Sequence, residues 1–397
     1  MFLPMEYTVQ PISVWINIHC NSFSTKSSYG SLCNIFRYVI LCIFCVISFS
    51  CNNTSDSRYF NGEIVLFEDS LQLETLKGEQ VVLDGLYTGR MDVYDSLVFM
   101  QSFIYPGYFI AVFNHYTGKH LGDFFQKGNG PNEHIDLSWI YQFFYEEGHL
   151  KGLLCSFYRK KIVIWDITES LNTGITYMSQ IDLPEIDSKS ALGGYMFFES
   201  NEYLVANINN FNSPNIPNHM YYKIDRVTQE LKQTYSFYKK LIDNNDNVFL
   251  MLYHHFPVAH NIKGTKLSSA MAILHQINIL DIETGKLKGF RMNRSPNFGN
   301  IAGRQQEIEI HYTTITADTQ YIYALYAGEA TNLKSGFPNG RYIHIFDWNG
   351  KFLRKLHLDK DAGHIGIDAK NHVLLIKDDD TDEVYRYYLN VEKSASN

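Results

Sequence analysis

The chain has 397 residues, 45% of them hydrophobic and 19% charged, so it has apolar surface enough for a large core and lacks the composition of a disordered protein. Its formal net charge of −8 comes with no cluster of Lys and Arg, which excludes the electrostatic footprint of a nucleic-acid-binding protein. The 28 Tyr and 27 Phe favour strands, because flat rings suit a pleated, half-buried surface.

Arg37 precedes the apolar run Tyr38-Val-Ile-Leu-Cys-Ile-Phe-Cys-Val-Ile-Ser-Phe-Ser50, which ends at Cys51. The run is shorter than the roughly 20 residues a membrane-spanning helix needs and matches the apolar stretch of a secretion signal. Small residues at Ser48 and Ser50, then Cys51, then the polar stretch Asn52 to Ser57 resemble a bacterial lipoprotein signal. The resemblance implies lipidation of the Cys51 sulfur, a mature chain beginning there, and an exported protein held in the cell envelope by its lipid. Ser48 stands where the usual signal has Leu, a departure that lipoproteins of the Bacteroidetes tolerate. The alternative is an ordinary cleaved signal with a coincidental cysteine. Residues 1–36 sit awkwardly before such a leader, which points to a translation start downstream of Met1. Of six cysteines, Cys20, Cys33, Cys42 and Cys45 fall in the leader. Cys51 and Cys155 cannot make a disulfide framework or a zinc cluster, and Cys155, after Leu153 and Leu154, is expected to be a buried, inert thiol.

From about residue 59 onward, short alternating or apolar runs are cut by Gly, Asn, Asp and Pro, with no long helical periodicity. One unit recurs: an apolar strand ending in Asp or Asn, a turn often holding Gly-Lys, and a second strand. Its copies are Phe109–Asn114 with Thr117-Gly-Lys119, Ile162–Asp166, Tyr221–Asp225, Ile277–Asp281 with Thr284-Gly-Lys286, and Ile343–Asp347 with Asn349-Gly-Lys351. Val384–Asn390 is a weaker sixth. Asp or Asn starts the turn by accepting a backbone hydrogen bond, and Gly supplies the positive φ that closes it. The anchors recur every 43 to 66 residues or so, about the length of one four-stranded sheet.

The expected fold is therefore all-β: a six-bladed β-propeller of four-stranded antiparallel blades. A pair of β-sandwiches is the competing architecture, disfavoured by the regular period. The last repeat stops one strand short, so an N-terminal strand, Glu63–Phe67 or Leu71–Leu73, is expected to close the ring. The organisation read from the sequence is a leader over 1–50, a tether over 51–58, one propeller over 59–392 and a tail over 393–397.

The segment Phe125-Gln-Lys-Gly-Asn-Gly-Pro-Asn-Glu-His134 follows the fourth strand of the first repeat. With Gly128, Gly130, Pro131 and Glu133 in its fixed places, it resembles the Gly-x-Gly-Pro-x-Glu signature of the six-bladed, TolB-like propeller lipoproteins of Bacteroidetes. The blade repeat extends that resemblance over about residues 59–390, and it implies a fold rather than an activity. Physically, the glycines permit a tight crossing between blades, Pro131 stiffens it and Glu133 accepts backbone N–H bonds. A ligand site rimmed by the same groups is the functional alternative.

Other candidates are sparser. His254-His255-Phe-Pro-Val-Ala-His260 is the densest histidine run, but neighbours on a strand face opposite ways and a hydrogen-bonded loop is expected rather than a metal site. Asp378 to Glu383 reads as a solvated acidic turn, without the glycine-punctuated spacing of a calcium loop. Phe211 and Phe337 lie in long polar loops suited to stacking on a sugar or peptide. No nucleophile elbow, phosphate loop or dinucleotide fingerprint is present.

Two functions follow as expectations. The first is a lipid-anchored binding or scaffolding module for a protein or glycan partner, with no cofactor. The alternative is a metal-dependent hydrolase or lyase of lactonase type, with calcium or another divalent cation in the central channel, held by residues such as Glu307, Glu309, Asn207 and Asp318.

Overall fold

Alternation along the apolar runs sets the strands: every second side chain enters a space between sheets, and the turn anchors fix where each strand ends. The computed structural model describes residues 56–85, 87–184, 192–208, 220–239, 257–301, 308–331 and 338–389. These form six separate sheets arranged as the blades of a propeller.

Blade one holds β4 (Arg90–Tyr94), β5 (Leu97–Gln101), β6 (Tyr108–Asn114) and β7 (His120–Gln126). Blade two holds β8 (Gln142–Glu146), β9 (His149–Ser156), β10 (Lys161–Asp166) and β11 (Met178–Asp182). Blade three holds β12 (Leu192–Phe198), β13 (Tyr203–Ile208), β14 (Met220–Asp225) and β15 (Leu231–Ser236). Blade four is β16 (Val258–His260), β17 (Lys266–Ala270), β18 (Gln276–Asp281) and β19 (Leu287–Met292). Blade five is β20 (Ile308–Ala317), β21 (Tyr321–Thr331), β22 (Gly340–Asp347) and β23 (Phe352–Ala362). Blade six takes β24 (His364–Asp368), β25 (Val373–Lys377) and β26 (Val384–Tyr388) from the C-terminal end of the chain.

The turn anchors act as their chemistry requires. Asn114 Oδ1 accepts from the Tyr116 and Thr117 amides at 3.0 Å each, Asp225 Oδ1 from Val227 at 3.0 Å and Thr228 at 2.9 Å, and Asp281 Oδ1 from Thr284 at 2.8 Å. Asp347 Oδ1 accepts from Asn349 at 2.9 Å and Lys351 at 2.8 Å. Gly118, Gly285 and Gly350 then take φ of 71°, 69° and 83°, open to glycine at little cost. Asp166 departs from the pattern. No Gly-Lys follows it, and Glu169 three residues on completes a helix start, so Asp166 caps the short helix Ile167–Thr173, accepting from the Glu169 amide at 2.9 Å. Asn390, the sixth anchor, lies outside the described residues.

Ring closure differs in detail from the expectation. The empty fourth place in blade six is filled by β3 (Glu79–Val81), antiparallel to β26 with Val81 opposite Val384. The two segments expected to do this lie elsewhere. Glu63–Phe67 (β1) pairs parallel to β19 as a fifth strand of blade four; of Leu71–Leu73 only Leu73 is in a strand, opening β2 (Leu73–Leu76), which pairs parallel to β23 as a fifth strand of blade five. The reason is directional: a fourth strand must run antiparallel to the third, and only β3 meets that requirement at an unfilled edge.

Residues 56–81 thus form a strap over the outer edges of three consecutive blades. Its carboxylates meet bases of the blades in turn: Asp56 with Arg291, Asp69 with Lys355, Glu74 with Arg354 and Glu79 with Arg386. The core is distributed rather than central. Among the described residues, six clusters of buried apolar side chains fill the six seams between neighbouring blades. Each fully buried Val, Leu, Ile or Phe in them is worth about 1.5–3 kcal/mol.

Candidate functional site: the central channel

The innermost strand of each blade lines a central cavity of about 170 Å³. Period-two alternation on β4 decides what it meets there. Met91 packs into the seam between blades six and one, whereas Arg90 and Asp92 share the opposite face. Arg90 Nε and Nη2 both lie 3.3 Å from Asp92 Oδ1, while Asp92 Oδ2 is buried with no hydrogen-bond partner among the described residues. A guanidinium with donors to spare therefore sits beside an acceptor with none, which is a demand for a polar ligand or water.

An aromatic rim adjoins this pair. The Arg90 guanidinium lies over the Trp139 ring at 5.4 Å, and Phe103 meets Trp139 edge to face at 4.7 Å. Phe103 and its neighbour Ile104 are 51% and 84% exposed. The loop carrying them is fixed by the Lys127 ammonium, which donates to the carbonyls of Ser102 at 3.0 Å and Phe103 at 2.9 Å and also to that of Tyr105. Burial lowers the Lys127 pKa, but three carbonyl acceptors keep an ammonium suited to the place.

Across the channel, the Tyr195 hydroxyl and His260 Nδ1 share a hydrogen bond of 2.6 Å, and the His260 ring stacks on Phe197 at 4.5 Å and 5°. Burial pushes the His260 pKa down to about 3 and the Tyr195 pKa up, so both partners of this bond are neutral. Tyr141 stands edge to face with Tyr195 at 5.9 Å. From blade six, His364 Nε2 lies 3.5 Å from Asp379 Oδ1.

Asp379 belongs to the acidic turn Asp378–Glu383, read from sequence as solvated. The turn is largely exposed, yet Asp379 and Asp382 hold the buried Lys377 ammonium at 3.0 and 2.7 Å. The carboxylates are therefore matched by an internal cation.

The Gly128–Glu133 segment is self-contained. Glu133 accepts from the Gly130 amide at 2.8 Å and from Gln126 Nε2 at 3.3 Å, and Arg159 donates to the Glu133 carbonyl at 2.7 Å. A Cβ on Gly128, at φ +152°, would lie 2.0 Å from Glu133 Oε2. Pro131 and Asn132 are exposed beside it.

The described members of the lactonase-type set, Glu309, Asn207 and Asp318, do not come together. Asp318 follows β20 and Glu309 is its second residue, about 30 Å apart along the strand at ~3.3 Å per residue. Asp318 is occupied by the amides of Gln320 and Tyr321, each at 2.7 Å, and by the Tyr323 hydroxyl at 2.9 Å. Asn207 lies on the second strand of blade three, opposite Tyr221 rather than on the channel wall. Among the described residues no three of His, Cys, Asp and Glu are grouped to hold a metal ion. Glu307, His254, His255, Phe211, Phe337 and Cys51 lie outside the described residues.

Cys155 is fully buried and its thiol is pushed up to about 12 by desolvation, which leaves it unreactive. Sequence reasoning missed the Arg90–Asp92 pair and the Trp139 rim. The Arg-x-Asp-x-Tyr alternation of β4 was the available signal, since paired charges on an inner strand have only the channel to face.

No protein-family profile matches the chain, and no curated protein matches it. Solved structures do. A member of the DUF4221 family from Bacteroides vulgatus is 10% identical with a TM-score of 0.54, over 81% of this chain and 98% of that one. A Bacteroides fragilis protein described by its name only as exported is 12% identical, TM-score 0.48, over 82% and 98%. The calcium-binding protein regucalcin from Agrobacterium tumefaciens is 11% identical, TM-score 0.43, over 80% and 95%. What the first of these likenesses carries is the fold: an all-β propeller of six four-stranded blades.

Proposed function

We propose that the protein is a non-catalytic binding module of the cell envelope, tethered by a lipid on Cys51 and of the TolB-like lipoprotein kind, whose channel mouth takes a glycan. The observation that carries this reading is the Arg90–Asp92 pair beside Trp139. A sugar ring offers vicinal hydroxyls that donate to the part-exposed Asp92 carboxylate and accept from Arg90, and an apolar face that packs on the exposed carbon of Phe103. The fixed loop bearing Phe103 limits the entropy lost on binding. The lipid anchor and the export are supported by the run ending at Cys51.

The test is titration with neutral hexasaccharides of different linkage (chitohexaose, xylohexaose, laminarihexaose) followed by calorimetry and tryptophan fluorescence. Saturable binding of at least one is expected, weakened tenfold or more in Asp92→Asn and in Trp139→Ala. Failure of every hexasaccharide to bind, or binding indifferent to both substitutions, refutes the reading.

A further inference from the structure

Three histidines with no part in the channel meet at the seam between blades four and five. His275 lies between β17 and β18, His311 on β20 and His344 on β22, with exposures of 3%, 4% and 1%. His275 Nε2 is 3.3 Å from His344 Nδ1, and the two rings stack at 5.2 Å and 17°. His311 stacks on His275 at 5.5 Å. The Tyr326 ring covers both His275 and His344, at 4.7 and 4.6 Å. A nitrogen-to-nitrogen hydrogen bond needs one neutral ring as acceptor, so this geometry exists only while the cluster is not fully protonated.

The strap crosses directly above. Phe67, the last residue of β1, lies edge-on to His275 at 6.0 Å and packs on Phe346 at 5.7 Å and Phe352 at 5.3 Å. Just beyond it Asp69 pairs with Lys355 of β23. The groups facing the cluster offer little relief for a new positive charge. Glu309 of β20 is 3.7 Å from His311 Nδ1 but half exposed. Among the described residues, Lys355 and a charged His311 each disfavour a positive charge on His275 and on His344, as a charged His344 does on His275. Tyr312 contributes a buried hydroxyl 3.1 Å from His344 Nδ1, and His344 Nε2 has no hydrogen-bond partner among the described residues.

We propose that the His275–His311–His344 cluster is an acid-sensitive latch which, on protonation, frees the strap from the seam between blades four and five while the other seams stay closed. The sign follows from burial, which holds His344 down to about 3, His311 to about 4 and His275 well below its ordinary value. A histidine neutral in the closed seam and free to protonate in the open one weakens the closed state as pH falls below about 6.5. The loss is roughly tenfold per pH unit for each histidine, until the closed-state value is reached.

Hydrogen–deuterium exchange on the full chain at pH 7.5 and 5.0, corrected for intrinsic rates, tests this. Peptides covering 63–76, 271–275 and 342–346 are expected to exchange at least tenfold faster at pH 5.0, while those covering 97–114 and 149–166 do not change. His275→Phe/His344→Phe should abolish the difference, and His311→Gln, a milder change, should reduce it. Equal acceleration in all six blades, no acceleration in 63–76, or an undiminished response in whichever variants fold would overturn the proposal.

Discussion

Replacing Asp56 by alanine leaves the Arg291 guanidinium buried opposite nothing. The two side chains are each 6% exposed and bond in a fork, Asp56 Oδ1 accepting from Nη1 at 3.0 Å and Oδ2 from Nη2, while Oδ1 also accepts from the Phe298 amide at 3.2 Å. Breaking a buried pair by removing one partner costs about 3–5 kcal/mol, far more than the pair's net worth. At roughly 1.4 °C per kcal/mol for a domain of this length, from about 2.1 cal/mol/K of unfolding entropy per residue, the melting temperature should fall by about 4–7 °C. Asp56→Leu/Arg291→Met, which removes both charges and keeps volume, should recover most of the loss, because the cost lies in the stranded cation rather than in the missing attraction. Scanning calorimetry or a fluorescence melt decides it. A single-variant shift under 2 °C, or a double variant worse than the single, would show that the strap's first fastening contributes nothing to the ring.

Ring closure gives a second expectation: Val81→Asp places a charge in the seam between blades six and one, where Val81 is 7% exposed, and should lower the melting temperature by about 4 °C or more in the same melt. Deleting 59–76, by contrast, removes two fifth strands and leaves β3; it should lower stability sharply, yet near-ultraviolet circular dichroism should still report a packed ring. The Cys51→Ala protein should leave the membrane fraction, and its retention there on fractionation would defeat the lipid claim.

The blades were legible in the sequence because their determinants are local. Asn114, Asp225, Asp281 and Asp347 each act on amides two to four residues away, so their spacing alone marks the repeat. Asp166 misled only because the same side chain can open a turn or a helix, and Glu169 tips that balance. The strap was half legible. A missing strand could be counted, but its supplier depends on direction and on partners such as Glu74 and Arg354, some 280 positions apart. The channel was the least legible part, since Arg90, Trp139, Tyr195 and His260 come from four different segments of the chain and share no spacing. The histidine cluster is hidden for the same reason: His275 and His344 are 69 positions apart and lie in unremarkable local sequence.

The order in which the strap is fastened also sets how the protein bears load. Tension on the chain preceding residue 56 meets the Asp56–Arg291 fork first, then the five paired positions of β1, then the four of β2, and only last the three of β3 that complete blade six. Most of the attachments in front of β3 must shear before force reaches the shortest and most consequential pairing. A protein hung by its N-terminal end would thus hold the seam on which its circular shape depends furthest from the pull.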